Sequence, residues 1–88
     1  MYFTYVLMSK KDNRQYVGYT RDLSLRLLAH NNGEVVSTKN RRPLELIYYE
    51  ACLHQQDATK REKYLKHFYG KMFPKNRLKR YFNGKDFR

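Results

Sequence analysis

Five side chains in this sequence have the types and spacing for phosphate chemistry: Tyr5, Tyr16, Arg26, His30 and Glu62. Hydrolysis of a phosphodiester needs an activated water, in-line attack, stabilisation of the charge building on phosphorus, and neutralisation of the leaving oxygen. A phenol titrates near ~10, so it serves as a base at neutral pH only among cationic neighbours. Tyr16 is the candidate, either as general base or as a covalent nucleophile. The planar fork of Arg26 suits a scissile phosphate. Tyr5 could hold the phosphate or the attacking water by a hydrogen bond. His30, one helical turn beyond Arg26, could relay a proton or bind phosphate. Each has an ordinary alternative, since tyrosines are common strand aromatics and an Arg/His pair four residues apart is common on a solvated helix face.

Glu62 stands out by its surroundings. Between Ala58 and Lys85 it is the only acidic residue, among ten Lys and Arg. On a helix it shares a face with Ala58, Leu65 and Tyr69, near the inward stripe. It could simply pair with Arg61, Lys66 or another cation. It could also be the one protein ligand of a hard metal ion. Mg2+ often takes just one or two carboxylates and completes its shell with water and phosphate oxygens.

The elements that must position these groups follow from periodicity. Two apolar, aromatic-rich runs, residues 2 to 9 and 15 to 20, are joined by Lys10-Lys11-Asp12-Asn13-Arg14, whose Asp and Asn suit a tight turn. This predicts a hairpin, with the first strand covered on both faces. Gly18 weakens a strand interior, so either a phosphate or a backbone approaches closely there, or it marks a bulge or a tight helix contact. From about residue 22 to 32 the period becomes helical. Leu23, Leu27 and Leu28 define one side and Asp22, Arg26 and His30 the other. Thr20 or Asp22 is the expected cap and Gly33 the stop. Residues 33 to 43 read as a mobile basic arm whose Lys39, Arg41 and Arg42 contact phosphate or form a solvated charge run.

A third strand is expected over 44 to 50, after Pro43. A helix follows from about Gln56 to Tyr69, with Tyr64, Leu65, Phe68 and Met72 inward. A last helix runs from Phe73 or Pro74 to Phe82, followed by a fraying tail. The order β-β-α-β-α-α predicts an α+β fold: a small, three-stranded, mainly antiparallel sheet flanked by helices, in a single domain over residues 1–88.

Composition narrows the partners. Nineteen Lys and Arg against eight Asp and Glu give a net charge of +11, which calls for a polyanion, nucleic acid before an anionic membrane. No apolar run approaches the ~18 residues of a membrane span. The start Met1-Tyr2-Phe3-Thr4 lacks a signal-peptide pattern. The lone Cys52 forms no internal disulfide and no Cys/His cluster has zinc spacing, so a reducing, cytoplasmic setting is expected. A small ribosome-associated basic protein would satisfy the same composition.

Tyr5, Tyr16-Val17-Gly18, Arg26 and His30 in that order resemble the GIY-YIG nuclease signature. Thr20-Arg21-Asp22-Leu23, His30-Asn31-Asn32-Gly33, Thr38, Arg42-Pro43 and Arg61-Glu62-Lys63 extend the likeness over residues 2 to 80. The chain is most similar to the small stand-alone branch related to the N-terminal nuclease domain of the bacterial repair excinuclease. It departs at Phe3-Thr4-Tyr5, which lacks the glycine of the first tripeptide, and at Tyr19, where many relatives carry Lys or a small polar residue.

The resemblance implies a metal-dependent endonuclease acting on DNA, in repair or processing of branched or damaged DNA, with no small-molecule cofactor. A protein partner for targeting is possible, because the short domain carries no recognition module of its own. Glu62 would be the metal ligand, for Mg2+ or Mn2+. Tyr5, Tyr16, Arg26 and His30 would complete the catalytic set. Gly18, Tyr19, Thr38, Lys39, Arg41, Arg42 and Asn76 would line the substrate, with Asn83 as the other match for the family's late Asn. The alternative is a nucleic-acid-binding module of the same fold without cleavage. In either case affinity should rest on phosphate contacts. Titrating a duplex oligonucleotide at 50 and 200 mM salt should show strong binding that falls steeply; weak binding at the lower salt or no loss at the higher would contradict it.

Overall fold

A computed structural model of the protein describes residues 1–67 and 78–81. Its centre is strand β1 (Tyr2–Ser9), flanked by β2 (Gln15–Thr20) on one side and β3 (Leu44–Cys52) on the other, both antiparallel to it. A central strand is covered on both faces only if both sets of alternating side chains can be buried, and residues 4 to 9 all are. Tyr5 and Leu7 face one way with Leu44, Leu23 and Leu27. Val6 faces the other way with Val17 and Leu65. Helices α1 (Leu23–Asn31) and α2 (Gln55–Lys66) cover these two faces. The α+β fold and antiparallel sheet expected from the sequence are those observed.

The β1–β2 turn is closed by its own polar side chains. Ser9 Oγ accepts from the Lys11 and Asp12 amides, Asp12 accepts from the Arg14 amide, and Asn13 takes the left-handed conformation, φ 60°. Asp22 is the α1 cap, accepting from the Leu25 amide at 3.0 Å. Gly33, φ +79°, ends the helix.

Four expectations change. Residues 33–43 are not a mobile arm. They contain a 3-10 turn (Lys39–Arg41), and buried Ser9 donates its hydroxyl to the Arg41 carbonyl at 2.6 Å. β3 runs two residues further, to Cys52, with an irregular register between Val6 and Leu7. α2 ends at Lys66 and not near Tyr69. In its expected apolar stripe, Leu65 is buried but Tyr64 is exposed beneath the Arg61 guanidinium, while Phe68 and Met72 lie outside the described residues. Of the expected last helix only residues 78–81 are described, and there the Tyr81 phenol donates to Glu45. Among the described residues no helix is long and apolar enough to cross a membrane.

A clasp not foreseen from sequence joins α1 to β3. Asn31 accepts from the Leu44 amide at 2.8 Å and donates to the Leu44 carbonyl at 3.1 Å, as a paired strand would. Two bonds of ordinary strength are at stake, so Asn31→Ala should cost about 1–2 kcal/mol in urea unfolding. Asn31→Asp, which keeps the acceptor but sets a carboxylate oxygen against the Leu44 carbonyl, should not recover that loss; equal midpoints for parent and Ala variant would contradict the clasp.

Candidate active site

The inward face of α1 carries Leu23, Arg26, Leu27 and His30, spaced i, i+3, i+4, i+7. The expectation that Arg26 and His30 occupy the side opposite the leucines is therefore corrected. Leu28 is instead largely exposed and His30 fully buried. The polar pair turns inward because Tyr5 gives it hydrogen bonds there. A buried polar group is tolerated when bonded, and the alternating polar signal in the sequence does not reveal that partner.

Tyr5 is 1% exposed, so its phenol must be satisfied internally. Arg26 Nε donates to the Tyr5 oxygen at 3.3 Å, and Tyr5 Oη lies 2.9 Å from His30 Nε2. On the far side His30 Nδ1 lies 2.7 Å from Thr38 Oγ1, which donates weakly to the Val35 carbonyl at 3.5 Å. The proton positions follow from the energetics. Burial raises the Tyr5 pKa, against the lowering influence of Arg26, so the phenol keeps its proton. Burial and the Arg26 charge push the His30 pKa down to about 4, so the imidazole is neutral at pH 7. With both groups neutral, the Thr38 bond to Val35 selects the tautomer: a Thr38 hydroxyl that donates to that carbonyl accepts from Nδ1–H, which leaves Nε2 to accept from the Tyr5 phenol. The chain reads Arg26 → Tyr5 → His30 → Thr38 → Val35, each group giving one proton onward.

Gly18 makes this arrangement possible. It pairs directly across from Tyr5 on the same face, and a Cβ there would lie 2.5 Å from Tyr5 Oη and 2.7 Å from Cζ. The sequence leaves a phosphate or backbone approach, a bulge or a helix contact open at Gly18; what lies there is the Tyr5 phenol, reaching across the strand. The Tyr5 ring cannot swing aside, being buried with its hydroxyl bonded twice.

Tyr16 is only half-buried, and it packs edge-on against the His30 ring at 5.0 Å between centroids. It stands 6.4 Å from the Tyr5 ring. Arg26 interacts with both phenols, the Tyr5 hydrogen bond being the larger reason its pKa is raised. α2 brings Glu62 near this group through Lys66. Lys66 Nζ sits 3.0 Å from Glu62 Oε2 and 6.0 Å from the centre of the Tyr16 ring, and the Glu62 charge is felt at Tyr5. The inward stripe Ala58, Glu62, Leu65 is the one expected, with Thr4 donating to the Ala58 carbonyl at 3.0 Å to seat the helix. Thus β1, β2 and α1 bring Tyr5, Tyr16, Arg26 and His30 into one cluster, and α2 sets Glu62 near its edge, linked to Tyr16 through Lys66.

The residues expected to line substrate are placed differently. Thr38 is fully buried and serves His30. Arg41 turns toward the hairpin, its Nε 3.5 Å from Asp12 and an Nη donating to the Gln15 carbonyl at 3.5 Å. The Tyr19 phenol accepts from Gln55 at 2.7 Å. Lys39 and Arg42 are exposed. Asn76 and Asn83 lie outside the described residues. Lys66 was foreseen only as an ion-pair partner of Glu62, and nothing in the spacing places it over Tyr16.

The donor set tests the implied metal. Among the described residues no three His, Cys, Asp or Glu converge, so a closed all-protein metal cage is not formed there. The Glu62 side chain is 19% exposed and engages Lys66 through one oxygen only, so its second oxygen has no partner among the described residues. A single accessible carboxylate suits a hydrated Mg2+ or Mn2+ that takes its other ligands from water and phosphate.

The fold that carries these groups is a three-stranded antiparallel sheet with α1 and α2 on its two faces. The chain matches the GIY-YIG catalytic domain over residues 1–76 and belongs to that family. It is similar to the UPF0213 protein YazA of Bacillus subtilis, 44% identical over 66 residues, covering 74% of this chain and 66% of that one. A UPF0213 protein of Staphylococcus epidermidis is 40% identical over 62 residues, covering 69% and 74%. One of Pediococcus acidilactici is 36% identical over 81 residues, covering 89% and 78%. Their names state no activity. No solved structure matches the chain.

The His30 burial makes stability depend on pH. The folded pKa lies near 4 and the unfolded value near 6.5, so the unfolded chain binds the extra proton between them. Stability from this group is present above pH 6.5 and is lost as pH falls toward 4, a loss on the order of 2–3 kcal/mol. The Tm of the parent should fall across that window, and a folded His30→Gln variant should show a smaller fall there. Equal slopes would contradict the buried neutral imidazole.

Proposed function

We propose that the protein is a metal-dependent endonuclease that hydrolyses phosphodiester bonds in DNA, as a cytoplasmic enzyme with nucleic acid as its partner. The observation that carries this reading is the cluster of Tyr5, Tyr16, Arg26 and His30 from three elements, with Glu62 of a fourth set at its edge through Lys66. Structural packing alone does not call for a mostly buried carboxylate whose lysine partner reaches toward the Tyr16 ring.

The exposures divide the tyrosines' roles. Tyr16 is the phenol that reaches the surface, so it takes the proton of the attacking water. Tyr5 is closed off, so it acts on Arg26 and His30 and sets the guanidinium's position. Arg26 then holds the scissile phosphate through the nitrogens that Tyr5 does not use, and stabilises the growing charge. His30, buried and neutral, keeps the Tyr5 hydroxyl pointed inward and does not bind phosphate as a cation. A divalent ion held by Glu62 would supply neutralisation of the leaving 3′ oxygen. Lys66 steadies the carboxylate in its place.

Supercoiled plasmid and a branched duplex, incubated with Mg2+, Mn2+ or EDTA, test this. Nicking should need the metal and fall at least about 100-fold in Glu62→Ala and Tyr16→Phe. Nicking that survives both changes would place the activity elsewhere. Salt-sensitive binding without nicking would favour a binding module of this fold.

A further inference from the structure

Away from the phenols lies a concavity of about 580 Å³, lined by Lys11, Asn31, Lys39, Asn40, Arg42 and Pro43. None of these residues is acidic. Four cations elsewhere on the surface stand beside acids. Lys10 lies near Glu45, Arg41 near Asp12, Arg61 near Glu50 and Lys66 near Glu62, each within 4 Å. By contrast, Lys11, Lys39 and Arg42 have no carboxylate partner among the described residues.

Two of the three are nevertheless held in place. Lys11 Nζ donates to the Asn40 carbonyl at 3.2 Å, and Arg42 Nε donates to the Lys39 carbonyl at 2.7 Å. Carbonyls fix direction without cancelling charge, and the Arg42 bond leaves both terminal nitrogens for another acceptor. The Arg42 guanidinium also rests on Gly33, where a Cβ would come within 2.8 Å of Nη1. The wall behind it is rigid, because the Asn31 side chain is clasped to Leu44. Preset, uncompensated donors around a hollow suit an anion whose oxygens accept several hydrogen bonds.

We propose that this concavity is a second phosphate-binding subsite, separate from the scissile-phosphate position, which anchors the backbone of bound DNA. The inference rests on the nucleic-acid reading above and adds where the strand is held. His30 and Thr38, joined at 2.7 Å, are the sequence neighbours of Asn31 and Lys39. The subsite therefore lies on the His30–Thr38 side of the Tyr5 chain, and a polynucleotide, with phosphates repeated along its length, suits both places. Arg41 is not part of it, being turned to Asp12.

The test is fluorescence anisotropy of a labelled duplex of about 30 bp in EDTA, which reads binding whether or not the protein cleaves. The Lys11→Ala/Lys39→Ala/Arg42→Ala variant should bind about tenfold or more weakly at 100 mM salt, with a salt slope lower by about 1–2. A control with the same charge loss at exposed sites, Arg14→Ala/Lys60→Ala/Lys79→Ala, should lose about threefold or less. Equal loss in the two variants would reduce the effect to bulk charge and overturn the subsite. So would unchanged affinity in the first variant, or no binding by the parent protein. Tight binding by a parent that does not nick DNA would overturn the nuclease reading and leave the subsite standing.

Discussion

The buried phenol of Tyr5 is the constraint on which the rest of the molecule depends. Leaving such a hydroxyl unpaired would cost about 1–3 kcal/mol, a large share of what a domain this small can hold. Satisfying it requires an acceptor and room. His30 is the acceptor, and its own second nitrogen then requires Thr38. Room comes from Gly18 on the neighbouring strand. The hairpin register, the rotation of α1 and the course of residues 33–43 are thus tied to one side chain. Arg26 is positioned by the same hydroxyl, so the group best suited to bind phosphate is aimed from within the core.

Charge is distributed in two layers. Inside, phenol and imidazole are both neutral, and protons are ordered in one direction along the chain. Outside, a net charge of +11 surrounds that interior, and three of the acids that could offset it, Asp12, Glu45 and Glu50, are occupied in local pairs. Glu62 stands between the layers. Its bond to Lys66 keeps a cation beside Tyr16 and a carboxylate at the edge of the cluster. This polarity favours polyanions in general near the surface.

Much of this was legible in the sequence, for physical reasons that differ by element. Strands with alternating apolar residues and a polar turn announce themselves, and so does a lone Glu in a basic helix. The fold class followed from those signals. What could not be read was which polar residues would be buried. Arg26 and His30 look like a solvated stripe because helical spacing alone does not say that a phenol awaits them. Thr38 and Arg41 look like arms for a ligand because their partners, His30 and Asp12, are eight and 29 residues away in the chain. Gly18 left open a close approach, a bulge or a helix contact, and did not name the phenol. Long-range hydrogen bonds are not encoded in any local period.

The most direct test of the Tyr5-centred chain is an NMR titration of the His30 imidazole nitrogens in the intact protein. Nε2 should appear as an unprotonated acceptor and Nδ1 as the protonated donor, unchanged from about pH 8 to below about pH 5. Protonation of His30 near pH 6.5, or a proton on Nε2 at neutral pH, would contradict the account.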